Sequence, residues 1–345
     1  MNRTTIAVDL AKSVFQLSVA DGEWRVHSRH RLTRSQVMRF FAERQPCAVV
    51  MEACGSAHFW GRWLRALGFT VRLLPPQYVR AYVRRNKTDR TDADALLEAA
   101  RCEDLPSVPV KSEQQQALAS LHRLRSGWLS TRTARINALR GILRELGVTI
   151  PLGARKGPPA VLALLDQPTS PVPPGLRPPL ADACAEIREL EQRIAHAERL
   201  LAGLAKELPV TERLLSIPGI GLLTATALVA SVGDIARFPS ARHLASWLGL
   251  TPRESSSGAV RRLGGISKRG DRYLRTLLIH GGRSVLTAAH RKTPVDHLRA
   301  WALGIERVRG RNKAAVALAN RLARIAWAVW RHDRNFESRP LQQAA

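Results

Sequence analysis

Residues 4–20 read TTIAVDLAKSVFQLSVA, and the alternation of apolar and polar positions is the two-residue period of a half-buried strand. The turn pair Asp21-Gly22 and then WRVHSRHRL (24–32) follow, so the chain opens as a hairpin or meander. RSQVMRFFAER (34–44) has helical spacing. CAVVMEACG (47–55) is a β-branched run that ends in an acid and a glycine, and AHFWGRWLRALG (57–68) is again helical before the short strand FTVRLLP (69–75). Helices over PQYVRAYV (76–83) and DRTDADALLEAARC (89–102) complete a mixed α/β domain spanning 1–104.

Outward from that domain the pattern becomes helical. Residues 113–147 lack proline and carry Leu118, Leu121, Trp128, Ile136, Leu139, Leu143 and Leu146 on one side of a long basic helix. Residues 151–179 are proline-rich and read as an extended linker with one short helix at AVLALLD. Ile187, Leu190, Ile194, Ala197, Leu201, Leu204 and Leu208 then alternate by three and four. This heptad seam predicts a coiled coil, within or between chains, and 105–209 is read as a connector used for dimerisation. Residues 210–335 are helical and basic, and 336–345 read as a disordered tail.

The chain has 345 residues, with 54 Lys and Arg against 28 Asp and Glu, a formal charge of +26. That excess exceeds what solubility needs and points to a polyanionic partner. No apolar run is long enough to span a membrane, and the start shows no cleavable signal, so the expectation is a cytoplasmic protein. Cys47, Cys54, Cys102 and Cys184 are scattered without a CxxC pair and read as reduced thiols.

Against this cationic background four acids stand out. Asp9 lies on the first strand and Glu52 closes a later one. Asp89 and Asp92, three apart at the start of a helix, are separated by about 60° around its axis, whereas Asp94 points about 140° from Asp89. An N-cap role also suits Asp89, and a first-turn acid is favourable at Asp92. An acid on the first strand, one ending a central strand and a pair on a later helix is nevertheless the layout of the ribonuclease H and RuvC-like nucleases. Hard oxygen ligands in that arrangement suit Mg²⁺ or Mn²⁺ in phosphodiester displacement.

IPGIGLLTATALVA (217–230) has the form of a helix-hairpin-helix, in which helix-start N–H groups hold a phosphate; the same glycine turn also serves purely structural ends. In TPRESSSGAVRRLGGISKRG (251–270) three serines sit among Arg253, Arg261, Arg262, Lys268 and Arg269. A serine nucleophile among phosphate-binding cations is one reading and a flexible linker the other. Ser257, directly before Gly258, is the first candidate and Ser256 the second. Arg272, Arg275, Arg283, Arg309, Arg311, Lys313, Arg321 and Arg324 suit phosphate contacts on amphipathic helices, with Trp301, Trp327 and Trp330 read as core.

IAVDLAKSVFQ, VVMEACGSAHFWGRWL, NKTDRTDADALLEAA, IPGIGLLTATALVASVGD, WLGLTPRESSSG and GGISKRGDRYLRTLLIHGGRSVL occur in this order. Together they resemble the DEDD-type transposases of the IS110 family, its IS1111 subgroup and the related pilin-gene invertases. The resemblance assigns Asp9, Glu52, Asp89 and Asp92 to the four-acid motif and the serine before Gly258 to the C-terminal transposase domain. It implies Mg²⁺-dependent cleavage and rejoining of DNA through a serine–phosphate adduct. It also implies homodimers paired into a tetramer, and guidance by a structured bridge RNA. The expected architecture is a RuvC-like α/β domain, a coiled-coil connector and an all-α C-terminal domain. The acids and serine would then form one composite site, from one subunit or from two. The rival readings are a hydrolytic junction-resolving nuclease and a protein that only binds nucleic acid.

Overall fold

A computed structural model describes residues 4–83, 89–291 and 296–338, with the backbone alone at 89–91. The chain divides into two compact units, residues 1–114 and 115–345. The first comprises β1 (Thr5–Asp9), β2 (Val14–Ala20), β3 (Val26–Thr33), α1 (Arg34–Ala42), β4 (Ala48–Glu52), α2 (Ala57–Ala66), β5 (Thr70–Leu74), α3 (Pro76–Val79) and α4 (Asp89–Arg101). The opening stretch is thus two strands rather than one, broken where the exposed Ala11, Lys12 and Ser13 turn through solvent.

The five strands form one sheet in the order β3-β2-β1-β4-β5. β1, β2 and β3 are an antiparallel meander, while β1, β4 and β5 run parallel. Alternation assigns the two faces. Ile6, Val8, Leu17, Val49, Met51, Val71 and Leu73 meet Val37 and Phe41 of α1 and Trp60 and Leu64 of α2. Ala7, Ala20, Val50 and Leu74 meet Leu96, Leu97, Ala99 and Ala100 of α4. The alanines on both sides let α4 lie close to the sheet. Val108 donates its N–H to Leu73 O, and Val110 packs on Gly61, so the chain beyond residue 104 stays on this unit.

The second unit begins on α5 (Glu113–Glu145), followed by α6 (Gly157–Leu165), α7 (Arg177–Lys206), α8 (Pro209–Leu215), α9 (Leu222–Val232), α10 (Ala241–Trp247), β6 (Pro252–Glu254), β7 (Leu263–Ile266), α11 (Arg272–Ala289), α12 (His297–Arg309) and α13 (Arg311–Arg331). α5 and α7 run antiparallel, as their ion pairs require: Arg125 with Glu198, Arg132 with Glu191 and Arg135 with Glu186. Ile187, Leu190, Ile194, Ala197 and Leu201 are buried within the chain. These heptad positions thus pack inside the chain, on the side along which α5 lies.

Two further expectations change. The proline-rich stretch is not an extended linker: Val161 and Leu165 of α6, with Val172, join Ile136, Leu139, Leu143 and Ile187 in a core of their own. Pro158, Pro159, Pro178 and Pro179 stand in the first turns of α6 and α7, where an absent N–H costs nothing. Nor is the C-terminal region all-α, since β6 and β7 pair antiparallel around the serines. Gly258 (φ +56) allows that reversal. Phe336 donates its N–H to Ser216 Oγ, and 339–345 lie outside the described residues. No helix among the described residues is long and apolar enough to cross a membrane.

His122 ties three helices of this unit together. Its Nε2 meets Thr226 Oγ1 at 2.9 Å and its Nδ1 meets the Tyr273 hydroxyl at 3.1 Å. Thr226 Oγ1 donates to Leu222 O, so it accepts from Nε2–H and Tyr273 donates to Nδ1, which keeps the ring neutral. Burial, then Arg125, pushes the His122 pKa down to about 4. The unfolded chain takes up a proton near pH 6.5 that the folded ring refuses, so this contribution to stability is full above pH 6.5. It falls as the pH drops towards 4, by about 3 kcal/mol in all. A ¹H–¹⁵N titration should place the His122 midpoint below pH 5; a midpoint near 6.5 would contradict the neutral ring.

Candidate metal site and serine hairpin

In the first unit, parallel pairing brings two distant acids together. The β1–β4 register runs Thr5–Ala48 to Val8–Met51, and the next residue on each strand is Asp9 and Glu52. Neighbouring strands stand about 4.8 Å apart, so the two backbones are adjacent at the same sheet edge. Asp9 follows the parity of Ala7 and Glu52 that of Val50, which places both acids on the face covered by α4. Each is partly buried.

α4 is held across that face at two points. Asp94 accepts from Ser18 Oγ at 2.7 Å and takes a bidentate contact from Arg29, with Nε at 3.2 Å and Nη2 at 3.1 Å. At the other end Arg72 of β5 donates to the carbonyls of Ala100, Cys102 and Leu105, satisfying groups that a helix end leaves open. Asp94 is therefore a clamp.

Asp92 is different. Its Oδ1 is buried and has no hydrogen-bond partner among the described residues. A buried carboxylate oxygen left unpaired is costly unless a cation or donor meets it, so this donor set of hard oxygens fits a divalent metal. Asp89 is the first residue of α4, and its side chain lies outside the described residues. Among the described residues alone, no group of three or more acids, His or Cys closes into a metal cluster. The thiols add nothing to it: all four are free, and burial raises the pKa of Cys47 and Cys184.

In the second unit the serines sit at the end of the β6–β7 hairpin. Ser257 and Val260 exchange backbone hydrogen bonds at 3.2 Å around Gly258, a two-residue turn with glycine at its first central position. Ser256 Oγ donates to Glu254 Oε1 at 2.8 Å, and Arg261 Nε reaches the same oxygen at 3.1 Å. The Ser256 hydroxyl, then Arg261, hold the Glu254 carboxyl below the usual carboxylate range. Glu254 was not singled out from sequence, yet the signal was present: on a strand, positions 254 and 256 share a face.

The cations divide by role. Arg253, Arg262, Lys268, Arg269 and Arg272 are exposed, as is Arg261 beside Glu254. Arg275 is 9% exposed and its Nη1 donates to the carbonyls of Leu248 and Arg269. The expectation that it contacts nucleic acid is therefore corrected; it fastens the hairpin base to α10. Trp301, expected in the core, is 36% exposed with the Arg321 guanidinium 4.4 Å from its ring centre. The helix-hairpin-helix shape is present as α8 and α9 around Gly219 (φ +86), where a Cβ would stand 2.7 Å from Gly281 O. Close packing on α11 alone accounts for that glycine.

Residues 6–148 match a DEDD-type transposase model, and residues 211–296 match the model described as Transposase IS116/IS110/IS902 family. A probable family 20 transposase of Pseudomonas aeruginosa is 46% identical over 95% of this chain and 97% of its own length. The chain belongs to the IS110 transposase family. All six sequence blocks lie inside the two matched stretches. The transposase for insertion sequence element IS1111A of Coxiella burnetii is 40% identical over 94% of this chain and 88% of its own. A pilin gene-inverting protein of Moraxella bovis is 24% identical over 98% and 99%. This transposase is thus an enzyme of DNA strand transfer.

The hairpin depends on two glycines at its base. Lys268 N–H donates to Gly249 O. A Cβ on Gly249 (φ +71) would lie 2.0 Å from Arg269 O, and one on Gly270 (φ +80) 1.9 Å from Trp247 O. Gly258 has open space around it. Gly270→Ala should therefore cost about 2–4 kcal/mol and Gly258→Ala about 1 kcal/mol in urea unfolding. Equal costs would contradict the fixed base.

Proposed function

We propose that this transposase cuts and rejoins the DNA of an insertion sequence, with Asp9, Glu52, Asp89 and Asp92 holding Mg²⁺ (or Mn²⁺) and a hairpin serine carrying the broken strand. The observation that carries the metal assignment is the buried Oδ1 of Asp92, which has no hydrogen-bond partner among the described residues, on the helix that covers the sheet face bearing Asp9 and Glu52. The strand order 3-2-1-4-5, with an antiparallel meander continued by two parallel strands, supports a RuvC-like (ribonuclease H) fold for this unit. When bound, the metal supplies Lewis-acid stabilisation of charge on the phosphate oxygens.

The protein's own groups account for the remaining steps. The serine Oγ forms a bond to phosphorus as the phosphorus–oxygen bond to one deoxyribose breaks. The serine proton passes to a base and the freed sugar oxygen gains one. Attack by a DNA hydroxyl on the serine phosphate reverses the exchange, so the number of phosphodiester bonds is conserved. Arg253, Arg261, Arg262, Lys268, Arg269 and Arg272 hold phosphates near the hairpin and give affinity without base choice. Target choice is then delegated to a structured bridge RNA, and the protein acts as a homodimer paired into a tetramer at the bacterial nucleoid in the cytoplasm.

Ser257, before Gly258, is the nucleophile in this reading. A second reading is favoured by a specific contact: Ser256 donates to Glu254 at 2.8 Å, which gives it a ready proton acceptor beside a cation. Denaturing gels decide between them. With DNA carrying an element end, Mg²⁺ and RNA transcribed beside the gene, wild-type protein should form a denaturation-resistant protein–DNA band. Ser257→Ala should reduce it about 10³-fold or more, and Asp9→Asn likewise. Loss in Ser256→Ala alone would transfer the role to Ser256, and a band surviving both serine variants would leave the hydrolytic nuclease as the better account.

A further inference from the structure

A groove of about 860 Å³ opens beside the hairpin base, walled by Pro252 and Ile266 on one side and by α13 and Trp301 on the other. Its volume is that of a ligand pocket (about 300–1,000 Å³) rather than a surface dimple. Lys313, Arg321 and Arg324 line it, and among the described residues no acid forms an ion pair with any of them. The indole of Trp301 and the guanidinium of Arg321 are stacked there, over a floor of aliphatic side chains such as Leu250 and Val316. An indole with a guanidinium over its ring, in a groove also lined by Lys313 and Arg324, complements one chemistry above others. It suits an unstacked nucleobase with its flanking phosphates.

We propose that this groove seats an unpaired base of the DNA strand on which the serine acts, with Trp301 and Arg321 stacking on the base and Lys313 and Arg324 meeting its phosphates. The proposal rests on the DNA-cleaving reading above and adds a base-holding site to it. Pro252 stands five residues before Ser257, at most about 18 Å of chain. The groove wall thus belongs to the same hairpin as the serine, which puts the seated base on DNA beside the bond that is cut. The site holds the strand apart from its complement next to the cut, which phosphate contacts alone do not do.

Binding of a labelled single-stranded DNA of about 12 nucleotides, within the usual size of a single-strand site, tests this with the full chain. A matched oligonucleotide in which the central residues are abasic keeps the phosphates and removes the bases. The intact strand should bind about tenfold more tightly than the abasic one. Trp301→Ala should abolish that difference, Trp301→Phe should keep most of it, and Arg324→Gln should weaken both strands alike. Equal binding of the two strands by the wild type, or a preference untouched in a folded Trp301→Ala protein, would overturn the proposal. So would a Trp301 effect seen with an RNA oligonucleotide and not with DNA. Because binding is read without cleavage, failure here is separable from failure of the serine reading, which is scored by the covalent band.

Discussion

Parallel pairing of β1 with β4 is the constraint from which the rest of the first unit follows. Residues 9 and 52 are far apart in sequence, and only the register Val8–Met51 makes them neighbours at one edge. The same register decides which face they occupy, because a slip of one residue would turn Ala7, Asp9, Val50 and Glu52 to the face packed by α1 and α2. The alanines beneath α4 and the Asp94 clamp then hold the helix close, and that proximity buries the carboxylate of Asp92. The three aspartates of α4 thus differ in their surroundings. Asp94 is neutralised by Arg29 and held by Ser18, Asp92 keeps a buried oxygen without a hydrogen-bond partner among the described residues, and Asp89 opens the helix.

The second unit solves another problem, which is how to present a short polar hairpin with a defined shape. A two-stranded ribbon is marginal by itself. Here its base is tied by glycines that permit backbone-to-backbone approach and by Arg275, whose charge is spent on carbonyls. Those ties leave Arg253, Arg262, Lys268 and Arg269 exposed around the serines. In a chain of formal charge +26, the buried Arg275 is thus structural, while these exposed cations are the ones on which the proposed phosphate contacts rest.

Much of this was legible from residues. Period-two alternation found the strands of the sheet, and helical spacing found α1, α2 and α4. The four acids stood out because acids are scarce. What was not legible depended on partners distant in sequence. The heptad of α7 was legible as a coiled-coil seam, within or between chains, but not the antiparallel course of α5 along it, which Arg125 and Arg135 fix through partners 73 and 51 residues away. The prolines of 151–179 suggested an extended linker, whereas Pro158, Pro159, Pro178 and Pro179 lie in the first turns of helices whose apolar residues pack into a third core. Arg275 looked like its cationic neighbours, since burial cannot be read from a residue's type. Trp301 looked like core, and it is the groove beside it that leaves it open. Glu254 was missed for a different reason: the serine triplet was read as a loop, and only on a strand do positions two apart face the same way.

The central claim is that these acids form a metal site whose geometry α4 imposes. Equilibrium binding of Mn²⁺ to the full chain, followed by the electron paramagnetic resonance of the free ion, tests it most directly. Asp92→Asn keeps the shape of the side chain and removes its charge, so Mn²⁺ affinity should fall by more than about tenfold while the fold is retained. Unchanged Mn²⁺ binding by a folded Asp92→Asn protein would contradict the account.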